Sequence, residues 1–305
     1  MAGGAGFLGT HLCRALLERG DEVVAVDNLV TGSKANVELF AGRPGYRFQW
    51  ADVTQPLLLD GPVGAVMNLA SPASPADFAS IPLEILQVGS AGTKNLLDLA
   101  LAKGARFFQA STSEVYGNPT EHPQAETYWG HVNPIGARSV YDEAKRYGEA
   151  LTMAYHRVYD LDVRVVRIFN TYGPHMRPDD GRVVSNFITQ ALAGRPITVY
   201  GDGSQTRSFC YATDEVAGLL ALLDSTYRRP VNIGNPDEFT VLELARLVIE
   251  VTGSRSEIAF VDLPEDDPSR RCPDIGLAKT VLGWAPTTPL RQGVEATAAW
   301  FESQR

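Results

Sequence analysis

Apolar residues follow two alternating rhythms through the first two-thirds of the chain. Phe7, Leu8, Leu12, Ala15 and Leu16 recur at helical spacing and form a stripe that stops at Gly20. A short run at 22–27 follows, with the near-continuous apolar character of a strand buried on both faces. Similar runs predict strands at 46–50, 65–70, 106–111 and 163–169, separated by helical patterns that include 83–103 and 141–159. Short buried strands alternating with helices predict an α/β fold: a Rossmann-like, doubly wound parallel sheet covered on both faces.

After Asn170 the rhythm loosens. A helix at 183–193 leads to a strand at 197–200 and a polar loop at 201–207. A helix running through Leu223 is expected to be capped by Thr213, and 231–234 reads as a strand returning to the main sheet. Thr240 and Glu243 have capping-box spacing for a helix through Val251. A Pro- and Asp-rich loop at 264–274 precedes a terminal helix at 290–301. The expected organisation is a dinucleotide-binding domain over 1–169 and a smaller α/β substrate-binding domain over 170–305. Segments near 210–235 are expected to return to the first domain.

Composition narrows the function classes. The chain has 305 residues, 44% hydrophobic and 21% charged, which suits a packed globular protein and excludes disorder. Its formal net charge of −9 argues against a nucleic-acid or anionic-membrane partner, though a small anionic ligand needs only a few local donors. Cys13, Cys210 and Cys272 are scattered without a C-x-x-C, as expected of thiols in a reducing, cytoplasmic compartment. The five histidines lack ligand spacing, so no metal is expected. No secretory pattern opens the chain, and the apolar run 216–223 is far too short to span a bilayer.

Candidate chemistry clusters at strand ends. Gly3, Gly6 and Gly9 open the first helix at the spacing that lets a backbone approach a pyrophosphate on a helix N-terminus. Asp27 lies 18 residues after Gly9, at the end of the second predicted strand. A carboxylate there holds the adenosine ribose hydroxyls and repels a 2′-phosphate, which favours NAD over NADP. Tyr141 and Lys145 are one helical turn apart, and the lysine, with a positive nicotinamide ring, is expected to favour the phenolate. Thr112, Ser113 and Glu114 end a strand, where ligands of open parallel sheets bind. Hydroxyl, carboxylate, phenol and amine converging there make an acid/base set for hydride-transfer chemistry.

These features resemble the extended short-chain dehydrogenase/reductase superfamily. The stretches LASPASP (69–75), ASTSEVYGNP (110–119), YWGHVNPIGARSVYDEAKR (128–146), RIFNTYGP (167–174), DGRVVSNFI (180–188), VYGDGSQTRSF (199–209), VNIGNP (231–236) and DDPSRRCPDI (266–275) resemble its UDP-glucuronate decarboxylases. The resemblance implies NAD held by Gly3, Gly6, Phe7, Leu8, Asp27 and Asn28, and by Asp52, Val53, Leu69, Ala70 and Ser71, with Tyr141 and Lys145. It implies that Thr112 and Tyr141 bond the sugar C4 hydroxyl, and that Ser113 and Glu114 serve proton or water chemistry near C5. Arg271 would reach the sugar end. Asn170, Arg182, Val184, Tyr200, Gln205 and Arg207 would hold a nucleotide diphosphate, UDP being the expected one. A homodimer built on the 83–103 and 141–159 helices is implied as well.

Two departures stand out. Gln87 occupies a position where the family carries a lysine that meets the acidic sugar, and only Met1 and Ala2 precede Gly3 where the family has its central strand. That strand is short by about 5–6 residues. Rival expectations are a nucleotide-sugar epimerase, dehydratase or 4-keto-releasing decarboxylase on the same scaffold, and a catalytically silent NAD or sugar-nucleotide binder.

Overall fold

The computed structural model describes residues 1–263 and 270–305. The predicted strands appear as β1 (Val23–Asp27), β2 (Tyr46–Trp50), β3 (Ala65–Asn68), β4 (Arg106–Thr112) and β5 (Val163–Ile168). β2 pairs with β1, and β3, β4 and β5 pair in order with strand Pro230–Ile233 at the far edge, all in parallel. The first three residues join the two halves. Ala2 bridges Val26 on one side and Asn68 on the other, donating to Met67 O at 2.9 Å while its carbonyl accepts from Leu69 N at 3.0 Å. Val26 N donates to Met1 O at 2.8 Å, and Gly3 N donates to Val26 O at 2.9 Å. Ala2 thus occupies the place between β1 and β3 where the resemblance puts the central strand, and it leads into the glycine loop.

Helices cover both faces, as the apolar runs predict. Helices Phe7–Arg19 and Ala212–Asp224 pack Leu12, Leu16, Leu219 and Leu222 against Phe108, Val166 and Ile233. On the other face Thr93–Lys103 packs Leu96, Leu97 and Ala100 against Phe107, Val66 and Val163. A separate core follows Asn170, where Val183–Leu192, Val241–Thr252 and Leu290–Ser303 enclose Ile197, Val199 and Phe209. The Thr240 and Glu243 capping box is present. Gly9 is sterically required, because a Cβ there would lie 2.0 Å from Gly3 O.

Three expectations need correction. Tyr211, not Thr213, is the N-cap of the helix Ala212–Asp224, and Thr213 sits inside its first turn. The 83–103 helix is not uniform: Pro82–Gln87 passes through a π-helical turn, Val88–Gly92, before Thr93–Lys103. Within that turn, a Cβ at Gly89 would come 2.5 Å from Ala144 Cβ. The glycine therefore lets the helix carrying Tyr141 and Lys145 pack closely. Finally, 264–269 of the predicted 264–274 loop lies outside the described residues, and Arg270–Arg271 is a strand paired in parallel with Thr206–Arg207.

Phe108 is fully buried in the middle of β4. Phe108→Ala is expected to cost about 3–5 kcal/mol, read as a lower denaturant midpoint in equilibrium unfolding.

Candidate active site

Two neighbouring cavities open at the C-terminal ends of the parallel strands, sharing Gly3, Gly6, Leu69 and Ser71 as walls. The smaller, about 170 Å³, is lined by Asp27, Asn28, Asp52, Val53 and Ala70. The larger, about 420 Å³, brings Phe7, Leu8, Thr112, Ser113, Glu114, Tyr141 and Lys145 together with Asn170, Arg182, Val184, Tyr200, Gln205, Arg207 and Arg271. Every candidate residue lies on one cavity or the other. Gln87, expected at the sugar end, lines the smaller cavity instead.

The donor set fits a dinucleotide. The helix that starts at Phe7 has Gly6 as its N-cap, no side-chain cap and no acid in its first turn, so its N–H groups and dipole are available to a pyrophosphate. The Asp27 carboxylate accepts from Ala5 N at 3.0 Å and Leu29 N at 2.8 Å, which ties the glycine loop to the end of β1. Burial raises its pKa and those two bonds lower it. The Ser111 hydroxyl, on the wall of the larger cavity, is buried without a hydrogen-bond partner and can serve a ligand there.

The helix Ser139–Tyr159 presents Tyr141 and Lys145 on one face. Lys145 Nζ donates to Ala110 O at 3.0 Å and lies 5.6 Å from the centre of the Tyr141 ring. Burial pushes Lys145 down to about 8. Burial and the Glu114 charge push Tyr141 well above an ordinary phenol, although a hydrogen bond with Thr112 works the other way. A positive charge brought close to this phenol would act against that shift and favour the phenolate.

Glu114 is the most strongly held group in the cleft. Its Oε1 accepts from Arg271 Nη1 at 2.5 Å, and its Oε2 accepts from Arg271 Nη2 and Arg138 Nη2, each at 2.8 Å. Burial alone would raise its pKa, but Arg271 and Arg138 outweigh burial and hold it at about 2. Arg182 is engaged as well, paired with Asp180 and lying 5.5 Å over the Phe7 ring. Its charge also acts on Tyr141, lowering the pKa of the phenol.

Sequence reasoning missed three neighbours of the phenol. Phe78 stacks on Tyr141 with ring centres 5.1 Å apart, and Arg138 lies 5.6 Å over Phe78. Asp142 is buried beside them. Arg138 stands three residues before Tyr141, a helical spacing that marks side chains able to meet. Away from the cleft, tertiary folding gathers His122, Glu238 and Cys272 so that their potential ligand atoms lie within 4.8 Å, which sequence spacing could not reveal. The Cys272 thiol donates to Pro236 O at 3.3 Å, and burial pushes it up to about 12.

Comparison with known proteins agrees with this geometry. Residues 1–234 match the model of the NAD dependent epimerase/dehydratase family. The chain is 52% identical to Arabidopsis thaliana UDP-glucuronic acid decarboxylase 4 over 96% of its own length and 66% of that protein's. It is 51% identical to UDP-glucuronic acid decarboxylase 3 of the same plant, covering 96% of this chain and 86% of that one. With the Xenopus tropicalis UDP-glucuronic acid decarboxylase 1 it shares 50% identity over 100% of this chain and 72% of the relative. Among solved structures, Thermotoga maritima UDP-glucose 4-epimerase with UDP-glucose superposes with a TM-score of 0.90 at 28% identity, covering 99% of this chain and 98% of that one. Bacillus cereus UDP-glucuronic acid 4-epimerase, in complex with UDP-glucuronic acid and NAD, gives 0.87 at 27% identity over 100% and 98%. The chain belongs to the NAD dependent epimerase/dehydratase family, and within it to the group of the UDP-glucuronic acid decarboxylases.

Proposed function

We propose that this protein decarboxylates UDP-glucuronate to UDP-xylose, with NAD bound across the two cavities. The observation that carries the reading is the single cleft in which Thr112, Tyr141 and Lys145 adjoin a Glu114 carboxylate gripped by arginines. Bound NAD⁺ would accept hydrogen from sugar C4 and later return it. The chain's own residues handle the protons and the charge. Tyr141, bonded to Thr112, takes the C4 hydroxyl proton as C4 becomes a ketone. The sugar carboxylate is then β to a carbonyl, so the C5–C6 bond breaks and CO₂ leaves. The electron pair passes to an enolate oxygen beside Thr112 and protonated Tyr141. Ser113 and Glu114 serve the water or proton at C5, and Arg271 orients Glu114 and the sugar end. Asn170, Arg182, Val184, Tyr200, Gln205 and Arg207 take the nucleotide diphosphate.

In this reading residues 1–169 bind NAD and 170–305 mainly bind the nucleotide sugar, with the strand Pro230–Ile233 and the helix before it returning to the first domain. The working form is a homodimer in the cytoplasm. Exposed Leu83, Leu86 and Leu101, with Tyr147, Val158 and Tyr159, give the two helices an apolar surface for a second copy. Among the described residues, no helix is long and apolar enough to cross a membrane.

Incubation with UDP-glucuronate and NAD⁺ is expected to release CO₂ and yield a UDP-pentose by mass spectrometry. Tyr141→Phe should lower kcat by about 10²–10⁴-fold while UDP-glucuronate still binds. Unchanged sugar mass would identify an epimerase, loss of water a dehydratase, and binding without turnover a silent protein. A second expectation concerns pH. Lys145 carries its charge below about pH 8 and loses it above, so kcat/KM should fall as pH rises through that value. Lys145→Arg, which does not titrate there, should abolish that alkaline limb whatever its absolute rate. A wild-type profile flat to pH 10 would contradict the role given to the ammonium.

A further inference from the structure

Sequence spacing gives no reason to look for a metal, yet the fold assembles a ligand set away from the cleft. His122, Glu238 and Cys272 come from three separate stretches, and their potential ligand atoms all lie within 4.8 Å of one another. Backbone pairing puts them there. The strand Thr206–Ser208 pairs with Glu238–Thr240 on one side and with Arg270–Arg271 on the other, so the residue after Arg271 arrives near Glu238. Cys272 N donates to Gln124 Oε1 and Gln124 N donates to Cys272 O, both at 2.9 Å, which brings the segment carrying His122 alongside. Gln124 is fully buried, so the two segments are fixed to each other at the main chain.

The side chains are oriented as well. His122 Nε2 lies 2.8 Å from Glu238 Oε2, while Glu238 Oε1 accepts from Thr206 Oγ1 at 2.7 Å. A carboxylate held on one oxygen by a hydroxyl, with the other turned to an imidazole, has the outer support that orients metal ligands. Cys272 is 5% exposed, whereas the His122 and Glu238 side chains are 32% and 27% exposed. The sulfur therefore forms the floor, and the imidazole and carboxylate form the side through which an ion can enter. One nitrogen, one sulfur and one oxygen suit Zn²⁺, whereas Mg²⁺ and Ca²⁺ take oxygen ligands. Ligand atoms on a tetrahedral zinc stand roughly 3–4 Å apart, so the three atoms need shifts of only about 1 Å to reach that spacing.

We propose that His122, Glu238 and Cys272 form a Zn²⁺-binding site that ties the strand carrying Arg271 to the segment carrying His122. The fourth position goes to water or a further oxygen. On binding, the Cys272 S–H bond gives its proton to solvent, the sulfur donates an electron pair to the ion, and the His122–Glu238 hydrogen bond opens; nothing is oxidised or reduced. Because Cys272 directly follows Arg271, the ion anchors the segment that presents Arg271 to Glu114. The rival role is a packing contact, in which a histidine–glutamate hydrogen bond lies beside an incidental thiol.

The two are separated on the NAD-loaded, full-length protein after treatment with a chelator and dialysis. Zn²⁺ titrated by calorimetry is expected to bind at one ion per chain, and Co²⁺ in its place should show a thiolate-to-cobalt charge-transfer band. Cys272→Ser should lose that band. His122→Ala, at an exposed position, should weaken Zn²⁺ by about 10-fold or more while NAD still binds. Zn²⁺ should raise the Tm of the wild type and leave that of both variants nearly unchanged. Absence of stoichiometric Zn²⁺ binding, a cobalt spectrum without a thiolate band, or Zn²⁺ binding unaltered in His122→Ala would each overturn the assignment. If Cys272→Ser does not fold, the wild-type cobalt spectrum and His122→Ala still decide it.

Discussion

The Glu114 carboxylate, clasped by Arg271 and Arg138, is the interaction on which the site depends. It joins the end of β4, the N-terminus of the Tyr141 helix and the strand Arg270–Arg271 from the far end of the sequence. Because the cluster is largely buried, its charges are held by one another more than by water, and losing Glu114 would leave two guanidiniums facing each other. The same negative charge pushes Tyr141 and Asp142 upward, so one carboxylate influences the titration of both neighbours.

Beneath that arrangement, Ala2 bridges the two halves of the parallel sheet. A rung at Ala2 joins β1 to β3 and delivers the chain into Gly3 and Gly6, so sheet continuity and the placing of the glycine turn have the same backbone bonds as their cause. Close approach at Gly89 and Ala144 performs a similar service for the helix that carries Tyr141 and Lys145. Regular elements on both sides thus set the cleft, and loop residues such as Asn170 and Gln205 complete its wall.

Much of this was legible in the sequence, for a physical reason. Doubly covered parallel strands must be apolar on both faces, which made β1, β3, β4 and β5 visible within a residue or two at each end, whereas β2, only partly buried, alternates aromatic and polar residues. Thr240 and Glu243 were readable because a capping box is a local pattern, whereas Thr213 misled because a hydroxyl near a helix start caps only with the right backbone geometry. The cleft residues followed from strand-end position and family resemblance. Arg138 did not, since a cation in a polar stretch looks the same whether it meets water or a buried carboxylate. The placement of Gln87 and the joining of His122 to Cys272 depend on tertiary packing and leave no mark in local spacing.

In the proposed reaction, hydrogen leaves C4 and returns to the same carbon while Tyr141 carries the proton. The most direct measurement is the fate of deuterium placed at C4 of UDP-glucuronate, followed by mass spectrometry and NMR of the nucleotide pentose. Retention of the label at C4, with one solvent-derived hydrogen at C5, is the result predicted. Loss of the C4 label to solvent, or release of a 4-keto sugar as the end product, would contradict it.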